Sequence, residues 1–366
     1  MPASEAQSVS APLLERIRAA VIEGGGWLPF DEYMRLALYE PGLGYYARAQ
    51  RPFGRWPGAG SDFVTAPELS PLFARALAVQ LRQALRASDT GMLLEFGAGS
   101  GALAEGLLAA LGDDVERYRI VEVSAALRAR QQQRLQRFGD RVQWLQTVPE
   151  GIDAVVIGNE VLDAMPVQLL AFDGRQWRER GVSLGARGEL VWGDRASELR
   201  PPLEAAFVAG SVTELHTQAQ AFVASLAAWL RRGAAFFIDY GFPAHEYHHP
   251  QRSGGTVMCH RAHRADSEPL QDPGDKDITA HVDFTAIALA AQEAGLDVLG
   301  YTSQARFLLN CGLAELMQQA APAQRAAAHL LLAEHEMGEL FKVIALAKGC
   351  RFDAVGFAAG DRTHRL

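Results

Sequence analysis

The stretch Leu93 to Gly101, L-L-E-F-G-A-G-S-G, constrains the fold more than any other part of the chain. Two apolar strand residues run into a carboxylate, Glu95, and then into three alternate glycines, Gly97, Gly99 and Gly101. Glycine has no Cβ, so the backbone there can take left-handed conformations and lie close against a ligand. Beyond the turn, Ala102, Leu103, Leu107, Leu108 and Leu111 recur at helical spacing. Strand, glycine turn and helix in this order make a cradle for a nucleoside cofactor.

Two classes of cofactor fit such a cradle, because Gly97-x-Gly99-x-x-Ala102 also satisfies the permissive dinucleotide fingerprint. Glu95 separates them. A carboxylate two residues before the first glycine can accept hydrogen bonds from the α-ammonium of S-adenosylmethionine, and it would repel a pyrophosphate. Arg119 to Ser124 reads as a second apolar strand ending in Glu122, placed for the two hydroxyls of an adenosine ribose. Both cofactors carry that ribose, so Glu122 does not discriminate. The bland alternative for Glu95 is a solvated strand-end residue. A short-chain dehydrogenase would need a Tyr-x-x-x-Lys pair, and no lysine precedes Lys276.

A chain of 366 residues, 49% hydrophobic, can bury a large core, and its net charge of −8 argues against nucleic acid as the main partner. Cys259, Cys311 and Cys350 lie far apart with no C-x-x-C pair, which indicates neither a disulfide framework nor a zinc site. His245, His248, His249, His260 and His263 invite a metal reading but form no H-E-x-x-H, so no metal is expected. The first residues lack the basic and apolar pattern of a signal peptide, and no run of ~18 apolar residues occurs. The expectation is a cytoplasmic protein without membrane insertion.

Along the chain, Leu13, Leu14, Ile17, Ala20 and Val21 mark a helix that Gly24, Gly25 and Gly26 stop, and Asp31 is positioned to cap a second one over Glu32 to Tyr39. The loop from Ser61 to Pro71 is dense in hydroxyls and carboxylates, with Thr65 and Ser70 as helix caps or, with Asp62 and Glu68, as site residues. A helix over Leu72 to Arg86 precedes the cofactor strand. Val142 to Leu145 and Ile152 to Gly158 read as the third and fourth strands. The fourth delivers the chain into Asn159-Glu160-Val161-Leu162-Asp163-Ala164-Met165-Pro166. In an open α/β sheet the carboxyl ends of the strands form the ligand crevice, so Asn159 and Glu160 should face the cofactor.

Val167 to Phe172, Gln176 to Ser183 and Glu189 to Trp192 suggest an antiparallel insertion. Gln218 to Trp229 is a helix and Ala234 to Ile238 a fifth strand. His245 to Asp277 is polar and too long for a connector, hence either a functional flap or disordered. Leu296 to Tyr301 and Leu340 to Ala347 finish the sheet. The expected class is α/β, a Rossmann-like seven-stranded class I methyltransferase sheet with an antiparallel final hairpin. Residues 1–90 would form an N-terminal helical extension and active-site loop. Residues 91–349 would form the core, with insertions near 173–200, 243–277 and 304–338, and residues 350–366 a tail.

Taken together, Gly44-Tyr45-Tyr46, Asp62 to Ser70, Glu95 to Gly101, Glu122-Val123-Ser124, Asn159 to Val167, Asp239-Tyr240-Gly241 and Asp277 to Phe284 resemble the MidA-like (DUF185) S-adenosylmethionine-dependent methyltransferases. The mitochondrial members of that family are the complex I assembly arginine methyltransferases. The resemblance spans about Phe30 to Ala347. It implies S-adenosylmethionine as cofactor and, for the mitochondrial branch, symmetric dimethylation of an arginine in a complex I subunit.

On this reading Glu95 holds the methionine amino group, Gly97, Gly99 and Gly101 let the cofactor lie flat, and Glu122 takes the ribose. The acceptor would face Asn159, Glu160 and Asp163. Two carboxylates can clamp a protonated guanidinium in a bidentate way. Asp62, Thr65 and Glu68 are further substrate-side candidates, and Tyr45 or Tyr46 could cover the cation with its ring. Two other readings are a non-catalytic cofactor-binding assembly factor and a methyltransferase acting on a small molecule. The apolar helices from Leu313 to Leu332 are read either as core packing or as the face of a homodimer.

Overall fold

Leu13, Ile17 and Val21 are fully buried and form one stripe of helix α1 (Ser10–Glu23), which ends where Gly25 and Gly26 take positive φ. Residues 10–47, 65–261 and 264–366 are described in the computed structural model. After α1 come a two-residue strand β1 (Leu28–Pro29) and helix α2 (Phe30–Tyr39). Pro29, not Asp31, stands at the N-cap of α2. Burial of the Phe30 ring draws the helix start forward, and Asp31 falls in the first turn, where the helix dipole favours a carboxylate.

The next segment carries α3 (Ala66–Leu69), α4 (Pro71–Ser88), β2 (Met92–Phe96), α5 (Ala102–Leu111), β3 (Arg117–Val121), α6 (Ala125–Leu135), β4 (Val142–Leu145) and β5 (Ile152–Asn159). Ser70 caps α4 by accepting the Leu72 N–H, while Thr65 at the α3 N-cap makes no side-chain cap bond. The antiparallel insertion follows as β6 (Gln168–Phe172), β7 (Trp177–Leu184), β8 (Leu190–Ala196) and β9 (Val212–Leu215). Then come α7 (Thr217–Trp229), β10 (Leu230–Phe242) and α8 (Ala244–Tyr247). The polar segment continues as β11 (Met258–Arg261), β12 (Arg264–Asp266) and β13 (Asp277–Thr279). The chain closes with β14 (Val282–Asp283), α9 (Phe284–Glu293), β15 (Asp297–Ser303), α10 (Gln304–Asn310), α11 (Leu313–Gln318), α12 (Pro322–Leu332) and β16 (Phe341–Lys348).

The described residues divide into two compact units. One comprises residues 10–47, 165–217, 248–261 and 264–280. Its sheet runs β1-β7-β6-β9, with β8 also paired to β7, and its core joins Leu13, Ile17, Phe30, Tyr33, Leu169, Val182, Cys259 and Ile278. Of the polar segment His245 to Asp277, the described residues from His248 onward that belong to this unit carry strands. β11 lies between β12 and β13 in a small antiparallel sheet, pinned by the buried Cys259 and Ile278.

The second unit comprises residues 65–164, 218–247 and 281–366. Its central sheet runs β15-β16-β10-β5-β2-β3-β4, parallel except for β16, which is antiparallel to both neighbours. This path of seven strands is the class I arrangement anticipated from the sequence, and the two-residue β14 pairs parallel to β10 as an eighth. Buried Leu93 and Leu94 each contribute about 1.5–3 kcal/mol as large aliphatic side chains. The fifth strand is longer than its apolar stretch, because β10 is held between β5 and β16 and extends through exposed Arg231, whose Nε meets Asp153 of β5 at 2.9 Å.

The compact units cut across the boundaries anticipated at residues 90 and 349. Leu72, Phe73, Leu77 and Leu81 of α4 share one core with Leu93, Leu107, Ile157 and Phe236, so α4 belongs to the sheet, whereas α1 and α2 belong to the first unit. Residues 350–366 are packed as well. The Phe357 ring lies 5.3 Å from Phe307 and fills the space a side chain at Gly300 would need.

Candidate active site

β2 lies between β3 and β5, and its chain leaves toward β3 while β5 arrives from elsewhere. The carboxyl ends of these strands therefore flank a topological switch point, where an open α/β sheet leaves room for a ligand. At the end of β2 the backbone takes φ +63 at Gly97, +52 at Gly99 and +81 at Gly101. The Gly97 N–H donates to Val121 O at 3.3 Å, and a Cβ at Gly97 would stand 3.1 Å from Val161. The turn is thus closed from β3 on one side and from the turn after β5 on the other.

Ser100 accepts the Ala102 N–H at 3.2 Å and donates its hydroxyl to Glu68 of α3. Arg134 of α6 reaches Ser100 Oγ at 2.7 Å and Glu68 Oε1 at 3.1 Å, with its Nε on Glu105 at 2.9 Å. Glu68 is therefore tied to the glycine turn. Its partners there are a serine and an arginine of the protein itself.

Glu95 is 2% exposed, and its Oε2 accepts the Tyr118 hydroxyl at 2.7 Å. Burial pushes its pKa up to about 8, the Tyr118 bond pulls it back, and the charge of Glu122 adds to the rise. Glu122, on the neighbouring strand end, accepts the Ser124 N–H at 2.9 Å and Gln131 Nε2 at 3.0 Å. Its pKa also rises, chiefly through burial, against the pull of those donors.

At the end of β5, Asn159 Nδ2 donates to Glu160 Oε1 at 2.9 Å, and Glu160 itself sits at φ +54. A left-handed glutamate is uncommon, and neighbouring groups hold it in place. The Glu160 N–H donates to Ile238 O at 2.9 Å. Asp239 Oδ2 accepts the next three N–H groups, from Val161 at 3.1 Å, Leu162 at 2.9 Å and Asp163 at 3.3 Å. Asp239 is wholly buried, and its pKa stands well above the usual range through burial first and then the charges of Asp163 and Glu160.

Asp163 Oδ2 accepts the Tyr240 hydroxyl at 2.5 Å, and burial moves the Asp163 pKa up to about 6. Two oxygens of this turn, Asp163 Oδ1 and Asn159 Oδ1, are buried with no hydrogen-bond partner among the described residues. A buried acceptor without a donor is costly, and such atoms mark a place where a donor-bearing ligand would be welcome.

The expected cofactor residues Glu95, Gly97, Gly99, Gly101 and Glu122 thus share one pair of adjacent strand ends, and Asn159, Glu160 and Asp163 share the next turn. Thr65 precedes Glu68, and its carbonyl accepts the Glu68 and Leu69 N–H groups at 3.1 and 3.0 Å. Tyr45 and Tyr46 belong to the first unit, where their rings meet edge-on at 5.0 Å and Tyr46 donates to Asp277 at 2.8 Å. Asp62 lies outside the described residues. Tyr118, Gln131, Asp239 and Tyr240 join these groups from elsewhere in the chain, and for them the sequence offers no local signal beyond the Asp239-Tyr240-Gly241 stretch that carries part of the resemblance. Among the described residues no group of three or more His, Cys, Asp or Glu could hold a metal, and no helix is long and apolar enough to cross a membrane.

A family profile for S-adenosyl-L-methionine-dependent methyltransferases matches residues 72–302, more than half of the chain. The chain belongs to that family. It is 27% identical to a Drosophila melanogaster protein named protein arginine methyltransferase NDUFAF7 homolog, mitochondrial, over 97% of this chain and 90% of the fly protein. It is also 27% identical to the Danio rerio protein arginine methyltransferase NDUFAF7, mitochondrial, over 94% and 89% of the two chains. A Burkholderia thailandensis crystal structure with bound S-adenosyl-homocysteine superposes with TM-score 0.94 at 49% identity, over 100% of this chain and 99% of that one.

The methyltransferase uses S-adenosylmethionine, and its own residues fit that group. Glu95 is a buried carboxylate suited to an ammonium, the glycine turn takes positive φ at Gly97, Gly99 and Gly101 so that its backbone can lie against a ligand, and burial raises the pKa values of both Glu95 and Glu122, which a cationic or donor-bearing ligand would offset.

Proposed function

We propose that this methyltransferase modifies an arginine side chain of a protein substrate. The observation that carries the reading is the pair of orphaned buried oxygens, Asn159 Oδ1 and Asp163 Oδ1, on a turn that also bears Glu160. A guanidinium offers five N–H donors, a positive charge and no acceptor, so it complements such a turn. The names of the fly and fish relatives support the same chemistry. A respiratory complex I subunit is the acceptor that the resemblance implies, and a cytoplasmic location remains part of this proposal.

S-adenosylmethionine supplies an electrophilic methyl group on a sulfonium. Glu95 holds the α-ammonium, the glycine turn lets the backbone approach, and Glu122 takes the ribose hydroxyls. Asn159, Glu160 and Asp163 orient the guanidinium so that one nitrogen faces the methyl group, and Asp163 receives the proton that nitrogen sheds. Alignment of this kind can supply about 7–11 kcal/mol of a barrier.

The test is transfer of label from radiolabelled S-adenosylmethionine to proteins of a host extract lacking the gene, with Glu160→Gln as control. The proposal expects a labelled band that the control loses, yielding methylarginine on digestion. Label on another residue type, or equal labelling by the control, overturns it.

A further inference from the structure

Gln131 of α6 is completely buried, and its amide makes three hydrogen bonds. Nε2 donates to Gly99 O at 2.9 Å and to Glu122 Oε2 at 3.0 Å, and Oε1 accepts the Trp144 indole N–H at 2.8 Å. An indole can only donate, so the atom facing it must be the amide oxygen, and the NH2 group is left for the two acceptors. Both of its hydrogens are then used, one on the middle glycine of the turn and one on the carboxylate at the next strand end. The other Glu122 oxygen is already held by the Ser124 N–H. Gln131 is therefore a direct physical link between the glycine turn and Glu122.

From this we infer that Gln131 is a positioning residue that sets Glu122 in register with the glycine turn, so that the methionine and ribose halves of the cofactor are gripped together. The inference rests on the reading of the glycine turn and Glu122 as the cofactor site. All three of these Gln131 bonds are to protein groups. Gln131 acts through the two groups it joins, and Trp144 acts one step further out by fixing which way the amide faces. Networks of this kind are strongest when every member is satisfied, and losing the shared donor leaves both Gly99 O and Glu122 Oε2 short of one hydrogen bond.

The experiment is a double-mutant cycle read by calorimetric binding of S-adenosylhomocysteine, using wild type, Gln131→Met, Glu122→Ala and the double variant. Methionine nearly matches glutamine in volume and cannot donate. Thermal unfolding without ligand confirms that each variant is folded. Gln131→Met is expected to weaken binding by about tenfold, the loss of a buried donor to a carboxylate, and to raise the KM for S-adenosylmethionine with little change in kcat. The double variant is expected to bind within about threefold of Glu122→Ala, because a positioning residue has little left to position.

Trp144→Phe, a milder change that frees the amide to rotate, should weaken binding in the same direction by about threefold. Binding by folded Gln131→Met within twofold of wild type, alongside a weakened Glu122→Ala, overturns the inference and leaves the cofactor site standing. A double variant weaker than Glu122→Ala by the full Gln131→Met factor also overturns it, since a purely structural role gives independent effects. Wild-type binding by Glu122→Ala removes the cofactor-site reading and the inference with it.

Discussion

Tyr240 donates its hydroxyl to Asp163 across 77 residues of sequence at 2.5 Å, and the residue before it, Asp239, holds the backbone N–H of that same Asp163. One dipeptide of β10 therefore fixes both the turn and the carboxylate it presents. The Tyr240 bond favours the charged form and works against burial, which lifts the Asp163 pKa to about 6.

Tyr240→Phe removes that donor while keeping the ring contacts with His281 and Phe341. The Asp163 pKa should then rise further, and the acid limb of the pH–rate profile of methyl transfer should move to higher pH. Because Asp163 must be a carboxylate to hold a cation, the rate near neutrality falls. An acid limb in the same place as wild type, measured at saturating cofactor, contradicts the role given to Asp163.

Glu95 carries an opposed pair of consequences. Its pKa is about 8 in the free protein against an ordinary 4.5, so the folded state favours the neutral acid. The stability this contributes is full below about pH 4.5 and is lost as the pH rises through about 8. Glu95→Gln keeps an acceptor for Tyr118 and has no charge to bury. It should raise the unfolding free energy of the ligand-free protein at pH 8.5, by on the order of a few kcal/mol or less. The same substitution should weaken S-adenosylhomocysteine binding, since an amide does not attract an ammonium. Wild-type binding should also release protons at pH 7, detectable as a buffer-dependent calorimetric enthalpy. A binding enthalpy that is the same in all buffers counts against Glu95 as the ammonium partner.

Asp239 is a structural hub. Its Oδ2 is the acceptor for three consecutive N–H groups, and Oδ1 accepts the Tyr240 N–H at 3.0 Å. Asp239→Ala strands these donors in a buried site. The loss should be about 3 kcal/mol or more in urea unfolding, larger than for an ordinary surface aspartate. A change below about 1 kcal/mol would mean that the turn keeps its shape without Asp239.

The glycine turn proposed as the cofactor cradle is legible in the sequence because its requirements are local. A backbone that must turn left-handed three times shows itself as Gly97, Gly99 and Gly101, and strand-end carboxylates follow apolar stretches directly. The supports were not legible in the same way. Tyr118 and Glu95 are 23 residues apart, and Asp239 and Leu162 are 77 apart, so nothing near either partner announces the bond. Gln131 lies in an arginine- and glutamine-rich helix whose composition suggests a solvated surface. Glu68, a substrate-side candidate from its loop-like neighbours, is bonded by Arg134, 66 residues away, and by Ser100, which its own neighbours do not announce. The polar segment after Tyr247 hid its strands for a different reason. They are three or four residues long and lack clean alternation, and beside the apolar Cys259 and Ile278 the polar Asp277 and Thr279 are buried as well.

Glu160 is the residue at which stability and transfer should part. At φ +54 a side chain with a Cβ is strained by about 1–2 kcal/mol, which glycine does not suffer. Strain of this kind persists where surrounding structure enforces it, and Asp239 together with the Ile238 carbonyl does so here. Glu160→Gly removes the strain and the carboxylate at once, while the added freedom of the unfolded chain offsets part of the gain. The ligand-free variant should therefore be more stable in urea unfolding by about 0.5–1 kcal/mol and still bind S-adenosylhomocysteine, yet transfer no methyl group. Alanine at the same position keeps the strain and loses the carboxylate, so it should be inactive without the stability gain. A glycine variant less stable than the alanine one would show that the left-handed turn carries no stored strain, and both variants less stable than wild type would show that Glu160 is anchored by its side chain.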